Sequence, residues 1–457
     1  MSYLERETFF FIGIAGSGMS ALAQFMAFMG KKVLGSDRLF VLEPQHPIKL
    51  LLKNLNIELF PQGEAFIPND ATVVVSTAIE DNVPELIKAK NSGLDIIHRT
   101  DLLEAITEHY KTIAVAGTSG KSTTTAMIFH ILQQAGLEPS IITGAPLLEL
   151  VSQKIIGNAW LGKGEWLVIE ADESDASLTK YRPYIGVILN ISLDHKNLDE
   201  LKNIFSVFAN NAQKLVFNAN DSFLKKLSNK FISFCFAKKC DFVLDNIKLS
   251  WGGTEFKVNG HNISITLLGK HNAINSVAAI SASVMAGVNL DIACKSLESF
   301  KGIERRMQVI YRGVNYSVID DYAHNPSKIK AAIETAQTLA SQVIAWFQPH
   351  GFSPLRLWGN ELIDVLAQTL RKNDIFVMSP VYYVGGNVSK DICVNDYVIA
   401  LKKRGVNSVF LQNRKSLPSL VKENSLPHTV VLLMGARDPL LSYFAQFVAN
   451  QIIYFDN

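Results

Sequence analysis

Cysteine is scarce in this chain of 457 residues. The four present, Cys235, Cys240, Cys294 and Cys393, lie scattered among apolar or mixed surroundings. They show neither the paired spacing of a metal site nor a disulfide framework, which fits a reducing cytoplasm. Charge of one sign is equally short. The formal net charge is +2 and no block of lysine or arginine occurs, so the composition gives no reason to expect nucleic acid. Long apolar runs are missing as well. Residues 9–14 are too few to cross a membrane, and they lack both a basic start and a small-residue cleavage site. The expectation is a cytoplasmic protein with no membrane partner, long enough for two to four domains.

What the chain does have is one informative stretch: Val115-Ala116-Gly117-Thr118-Ser119-Gly120-Lys121-Ser122-Thr123-Thr124-Thr125. Residues 111–116 ahead of it read as a buried strand, and 125–135 behind it carry apolar side chains at helical spacing. A glycine loop between strand and helix is the layout of a phosphate-binding loop. The glycines let backbone N–H groups turn towards a phosphate. Lys121 can then reach the outer phosphates, and the Ser122 hydroxyl can meet a bound Mg²⁺. The full pattern has a glycine where Val115 stands, so the match is partial. A plain helix N-terminus capped by threonine is the other reading.

Earlier in the chain, residues 8–14 read as a strand, Gly13-Ile14-Ala15-Gly16-Ser17-Gly18 as a turn, 19–29 as a helix and 32–35 as a second strand. Asp37 follows about twenty positions after the glycines, as in a nucleotide-binding first unit. A dinucleotide is possible there, and so are glycines that serve only close packing. Helices at 48–55 and 84–92 and strands at 71–76 and 94–98 extend this into an open parallel sheet.

Beyond the phosphate loop, strands deliver polar groups to their carboxyl ends, where ligands gather in open α/β sheets. Residues 166–169 run into Glu170-Ala171-Asp172-Glu173-Ser174-Asp175, either a metal site or a solvated acidic turn. Residues 184–190 run into Ser192-Leu193-Asp194-His195. Three strand ends thus offer Lys121 with Ser122, Glu170, and Asp194 with His195, a coincidence that favours ligands. Residues 248–268 alternate as antiparallel strands do, with turn pairs at Gly252-Gly253 and Asn259-Gly260. Asn272 and Asn275 then share one face of the helix at 276–285 and its approach, placed to hold a base or ribose or to cap. A third α/β unit follows Arg305-Arg306, with strands at 316–319, 343–347, 375–378, 408–411 and 430–434.

With these residues together, the chain resembles the Mur ligases, the ATP-dependent amide-forming family of bacterial cell-wall synthesis. The stretches that carry the resemblance are Gly16-Ser17-Gly18-Met19-Ser20, Gly117–Thr123, Glu170–Ser177, Asp194-His195 and Gly269-Lys270-His271-Asn272-Ala273-Ile274-Asn275. Arg305-Arg306, Asp320-Asp321-Tyr322-Ala323-His324-Asn325-Pro326 and Phe347-Gln348-Pro349-His350 complete them. The nearest branch joins L-alanine to UDP-N-acetylmuramate. The absence of a glycine at Val115 is a trait of the family.

The resemblance implies an α/β fold in three domains: a Rossmann-like N-terminal domain over 1–106, a central P-loop ATPase-type domain over 107–304, and a Rossmann-like C-terminal domain over 305–457. It implies ATP on Gly117, Thr118, Ser119, Gly120, Lys121, Ser122 and Thr123, with His271, Asn272 and Asn275 around the adenosine. Ser122, Glu170 and His195 would hold Mg²⁺, and Arg306 and Asp321 would serve the nucleotide from the third domain. Gly16, Ser17, Gly18, Met19 and Ser20, with Asp37 and Ser76, would carry the UDP end of the sugar nucleotide, displacing the dinucleotide. Tyr322 and His350 would face the amino acid. The substrates would be UDP-N-acetylmuramate and L-alanine or a cell-wall peptide, in a monomer or homodimer.

Two departures bear on the amine. Gly351 and Pro354 stand where the alanine-adding branch usually has arginine, leaving Arg356 as the next cation along. Recycling of a cell-wall tripeptide onto the same sugar nucleotide is the rival within the family, although Ser174 stands where that branch has tyrosine. A non-catalytic nucleotide-binding protein and an NAD-dependent dehydrogenase are the rivals outside it.

Overall fold

A computed structural model of the chain describes residues 3–173, 177–191, 198–226, 231–236, 239–383 and 392–456. His195 with Asp194, and Ser174 with Asp175, lie outside the described residues. The fold is α/β in three domains, and it divides into two compact units.

The first unit holds two sheets. The N-terminal one has five parallel strands in the order Glu58–Pro61, Lys32–Asp37, Thr8–Ile12, Thr72–Val75, Ile96–His98. Its central strand is buried along its whole length, as Thr-Phe-Phe-Phe-Ile requires in a sheet covered on both faces. Strand order reverses beside Thr8–Ile12, so a crevice opens at its carboxyl end, where the first glycine turn lies.

The central sheet has ten strands. At its heart Ile185–Ile188, Lys111–Ala116 and Trp166–Glu170 are neighbours and parallel. The three strand ends singled out in the sequence are therefore adjacent edges of one sheet. Helix Lys121–Gln134 is buried on nearly every side, Ser122 to Leu132, which explains its weak amphipathic pattern.

Phe231–Phe236 and Phe242–Ser250 are parallel neighbours further along this sheet. Their pairing corrects one expectation: Cys235 and Cys240 form a disulfide, with Cα atoms 6.1 Å apart. Five residues of separation in the sequence did not reveal that the strands meet. Cys294 is a buried free thiol, and burial pushes it up to about 12.

The second unit comprises Glu304–Asn457 with Lys248–Thr254 and Thr266–Lys270. Its six-stranded sheet runs Gln308–Arg312, Tyr316–Asp321, Thr429–Gly435, Gln342–Gln348, Ile375–Met378, Ser408–Phe410, parallel except at the first pair. Trp251 joins this unit by donating its indole N–H to the Leu339 carbonyl at 3.0 Å.

Candidate functional site

The phosphate loop is built by two left-handed glycines and one asparagine. Gly117 has φ +142° and Gly120 φ +87°, backbone that side chains rarely adopt. A Cβ on Gly120 would lie 2.4 Å from Asn275 Oδ1, so glycine also admits the Asn272–Asn275 turn against the loop. Asn275 Nδ2 donates to Asn272 Oδ1 at 3.3 Å, and both residues are buried. Asn190, just beyond Ile185–Ile188, clamps the loop from the other side. Its Oδ1 accepts from Thr118 Oγ1 at 2.8 Å and from the Ser119 N–H at 2.9 Å, and its Nδ2 donates to the Ser119 carbonyl at 2.9 Å. The sequence reading missed Asn190, although its place at a strand end was a usable signal.

Lys121 is caged by acids. Its Nζ donates to Glu173 Oε2 at 2.6 Å and to the Gly117 carbonyl at 2.9 Å, and Asp172 stands 3.7 Å away. Burial would lower the ammonium pKa, but Glu173, Asp172 and Glu170 outweigh it and hold Lys121 above the ordinary lysine value. Burial moves Glu173 above the usual carboxylate value against the pull of Lys121. Glu170, at the end of its strand, receives Ser122 Oγ on one oxygen at 2.9 Å. The other oxygen accepts from Thr143 Oγ1 at 3.1 Å and the Gly144 N–H at 2.8 Å. A hydroxyl and a carboxylate oxygen in contact at the start of a helix form a donor set for a hard cation. Thr124 and Thr125 keep buried hydroxyls with no partner among the described residues. Glycine cradle, buried lysine and oxygen pair together fit a polyphosphate with its divalent ion.

In the N-terminal sheet, Gly13 (φ +77°) turns the chain, and helix Ser17–Phe28 starts at Gly16 without a side-chain cap. Asp37 is not free at this loop. Its two oxygens accept the N–H groups of Ala15 and Leu39, both at 2.8 Å, so it shapes the turn. Burial raises its pKa, those two bonds opposing. A Cβ on Gly18 would sit 2.9 Å from Arg99 Nη1, which brings to this loop a guanidinium the sequence reading did not single out. Ser76 follows strand Thr72–Val75, next to the central strand.

The second unit gathers a different group. Asp321 accepts the N–H groups of Met307 and Ala323, both at 2.8 Å, and thereby fixes the turn carrying Arg306. Arg305 (φ +55°) and Met307 (φ +47°) flank that turn in left-handed backbone. The guanidinium of Arg306 lies 5.0 Å from the Tyr322 ring centre. Tyr322, His324 and His350 follow edge to face, with ring centres 5.5 and 5.2 Å apart. Arg305 binds Asp320 through Nε at 3.1 Å and the Gly435 carbonyl through Nη2 at 2.8 Å. Burial raises Asp320 to about 6 against Arg305. Gly351 has φ +83° and begins helix Phe352–Thr369, while Arg356 on that helix is exposed.

Three family models match the chain: "Mur ligase family, catalytic domain" over 8–111, "Mur ligase middle domain" over 115–283 and "Mur ligase, glutamate ligase domain" over 305–437. The UDP-N-acetylmuramate–L-alanine ligase of Dictyoglomus turgidum is 36% identical over 403 residues, covering 84% of this chain and 83% of that protein. Its counterpart from Sulfurihydrogenibium sp. is 33% identical over 441 residues, 93% of this chain and 94% of that protein. The crystal structure of the UDP-N-acetylmuramate–alanine ligase of Thermotoga maritima superposes with a TM-score of 0.81 at 25% identity, covering 98% and 99% of the two chains. A murein peptide ligase from Psychrobacter arcticus shares the fold, with a TM-score of 0.69 at 21% identity over 99% of both chains.

Proposed function

The chain belongs to the Mur ligase family, and from that premise we propose that it joins L-alanine to UDP-N-acetylmuramate at the expense of ATP. The observation that carries this reading is the meeting of Lys121, Ser122 and Glu170 at adjacent strand ends. A carboxylate is a poor electrophile. In this reading the lactyl carboxylate attacks the γ-phosphorus of ATP, and the P–O bond to ADP breaks. The amine of L-alanine then adds to the acyl carbon, phosphate leaves with the C–O bond pair, and the amine gives up a proton. Lys121 exchanges Glu173 for the phosphate oxygens and offsets charge on the moving phosphoryl group. Gly117–Thr123 turn N–H groups towards the polyphosphate, and Asn272, Asn275 and His271 adjoin the adenosine. A divalent ion held by Ser122 and Glu170, with His195 added by resemblance, would supply further charge neutralisation.

We assign residues 1–106 to the UDP-sugar domain, 107–304 to the ATP domain and 305–457 to the domain of the amino acid. Gly16–Ser20 would take the diphosphate, with Asp37 and Ser76 shaping the sugar-nucleotide end. Arg306 and Asp321 would serve the nucleotide, and Tyr322 and His350 the amino acid. Among the described residues no helix is long and apolar enough to cross a membrane.

The test is phosphate release from ATP and Mg²⁺ with UDP-N-acetylmuramate, adding L-alanine, other amino acids or a cell-wall tripeptide separately. Release dependent on L-alanine supports the reading. Release with none of them overturns the ligase, and release with tripeptide alone reassigns the amine.

A further inference from the structure

The first glycine loop is tied within its own sheet at Ala15 and Gly16, but the helix that follows is not. Its helix starts uncapped, so the first turn is positioned by neighbours. One neighbour comes from the other sheet of the same unit. Asn158, only 1% exposed, precedes strand Ala159–Trp160. Its Nδ2 donates to the Ser17 carbonyl at 2.8 Å and to Ser20 Oγ at 3.1 Å. Its Oδ1 accepts from Gln24 Nε2 at 2.6 Å, and that same nitrogen donates to the Ser20 carbonyl at 3.0 Å. The pair of amides thus grips two turns of the helix. Gln24 Oε1 is buried without a partner among the described residues, an expense that an apolar pair in this space would avoid.

The contact continues inward. The Asn158 carbonyl accepts the Thr143 N–H at 3.0 Å, and the Thr143 hydroxyl donates to Glu170, which receives Ser122. A run of hydrogen bonds therefore joins Ser17 of the glycine loop to Ser122 of the phosphate loop.

We propose that Asn158 is a positioning residue for the sugar nucleotide. It registers the glycine loop against the Ser122–Glu170 pair, so that the bound carboxylate arrives in line with the phosphoryl group it attacks. An error of an ångström in such registration is expensive in rate and in productive binding. The inference rests on the reading of Gly16–Ser20 as the UDP-sugar site.

Asn158→Asp keeps the shape, removes both donors and turns a carboxylate towards the Ser17 carbonyl. In the full chain this variant is expected to raise KM for UDP-N-acetylmuramate by about tenfold or more. KM for L-alanine stays unchanged, and the variant retains cooperative melting. Gln24→Met, which removes only the partner of Asn158, moves the same constant in the same direction by less, and it carries the test if the first variant does not fold. A fall in kcat beside the rise in KM also supports the inference, whereas folded variants in which neither kcat nor KM for UDP-N-acetylmuramate changes, or in which KM for L-alanine rises equally, overturn it. Calorimetry on the unsubstituted chain separates the two layers: no binding of UDP-N-acetylmuramate there overturns the underlying assignment instead.

Discussion

Lys121 illustrates how one side chain is prepared for its role. The carboxylates of Glu173, Asp172 and Glu170 hold it charged against the pull of burial, and in the proposed mechanism Glu173 stands where a phosphate oxygen would bind. Lys121→Ala is expected to lower turnover by about a thousandfold. The fold survives because Glu173, already raised by burial, takes up a proton when its partner is removed. Circular dichroism beside steady-state kinetics checks both halves; normal turnover would remove Lys121 from the mechanism. The residues of this loop were legible because glycines, lysine and hydroxyls follow one another in the chain. Asn190 and Asn158 were not. Their partners lie 71 and 141 positions away, and apart from the strand end at which Asn190 stands no local pattern marks such contacts.

At the scale of elements, the strand–glycine–helix pattern announced the two loops, and the apolar runs announced most strands. Boundaries moved by a few residues where tertiary contacts extend a helix, as at Lys121–Gln134, whose first turn of lysine, serine and threonines carries no apolar signal. Strand order was invisible, which is why the Cys235–Cys240 pairing came as a correction. The departure at Gly351 also gains a physical sense: φ +83° suits glycine, and arginine at that position would strain the start of helix Phe352–Thr369. The buried end of strand Tyr316–Asp321 makes a pH prediction. The pKa of Asp320 in the folded chain is about 6, above its unfolded value, so its contribution to stability is complete below about pH 4 and is lost as pH rises through about 6. Between about pH 5 and 7 the unsubstituted chain should therefore lose stability relative to Asp320→Asn, by about 1 kcal/mol in urea unfolding. A relative gain over that interval contradicts the burial account.

For the whole molecule, the chain's ligands should stabilise it by mass action. UDP-N-acetylmuramate, or ATP with Mg²⁺, at about a hundred times its dissociation constant adds about 2.7 kcal/mol and raises the melting midpoint, whereas NAD leaves it in place. Scanning fluorimetry reads this directly, and a shift with NAD would return the first glycine turn to dinucleotide binding. What was legible at this scale was the succession of α/β modules and the family they resemble. Less legible was the amine, because Tyr322, His324 and His350, the group proposed to face it, converge only in the folded sheet.

The central claim is that ATP activates the sugar-nucleotide carboxylate before L-alanine attacks it. UDP-N-acetylmuramate carrying oxygen-18 in both carboxylate oxygens, turned over with ATP, Mg²⁺ and L-alanine, tests it most directly by mass spectrometry of the released phosphate. Activation as acyl phosphate predicts one oxygen-18 atom in every phosphate and one retained in the amide. Unlabelled phosphate accompanying amide formation would contradict it.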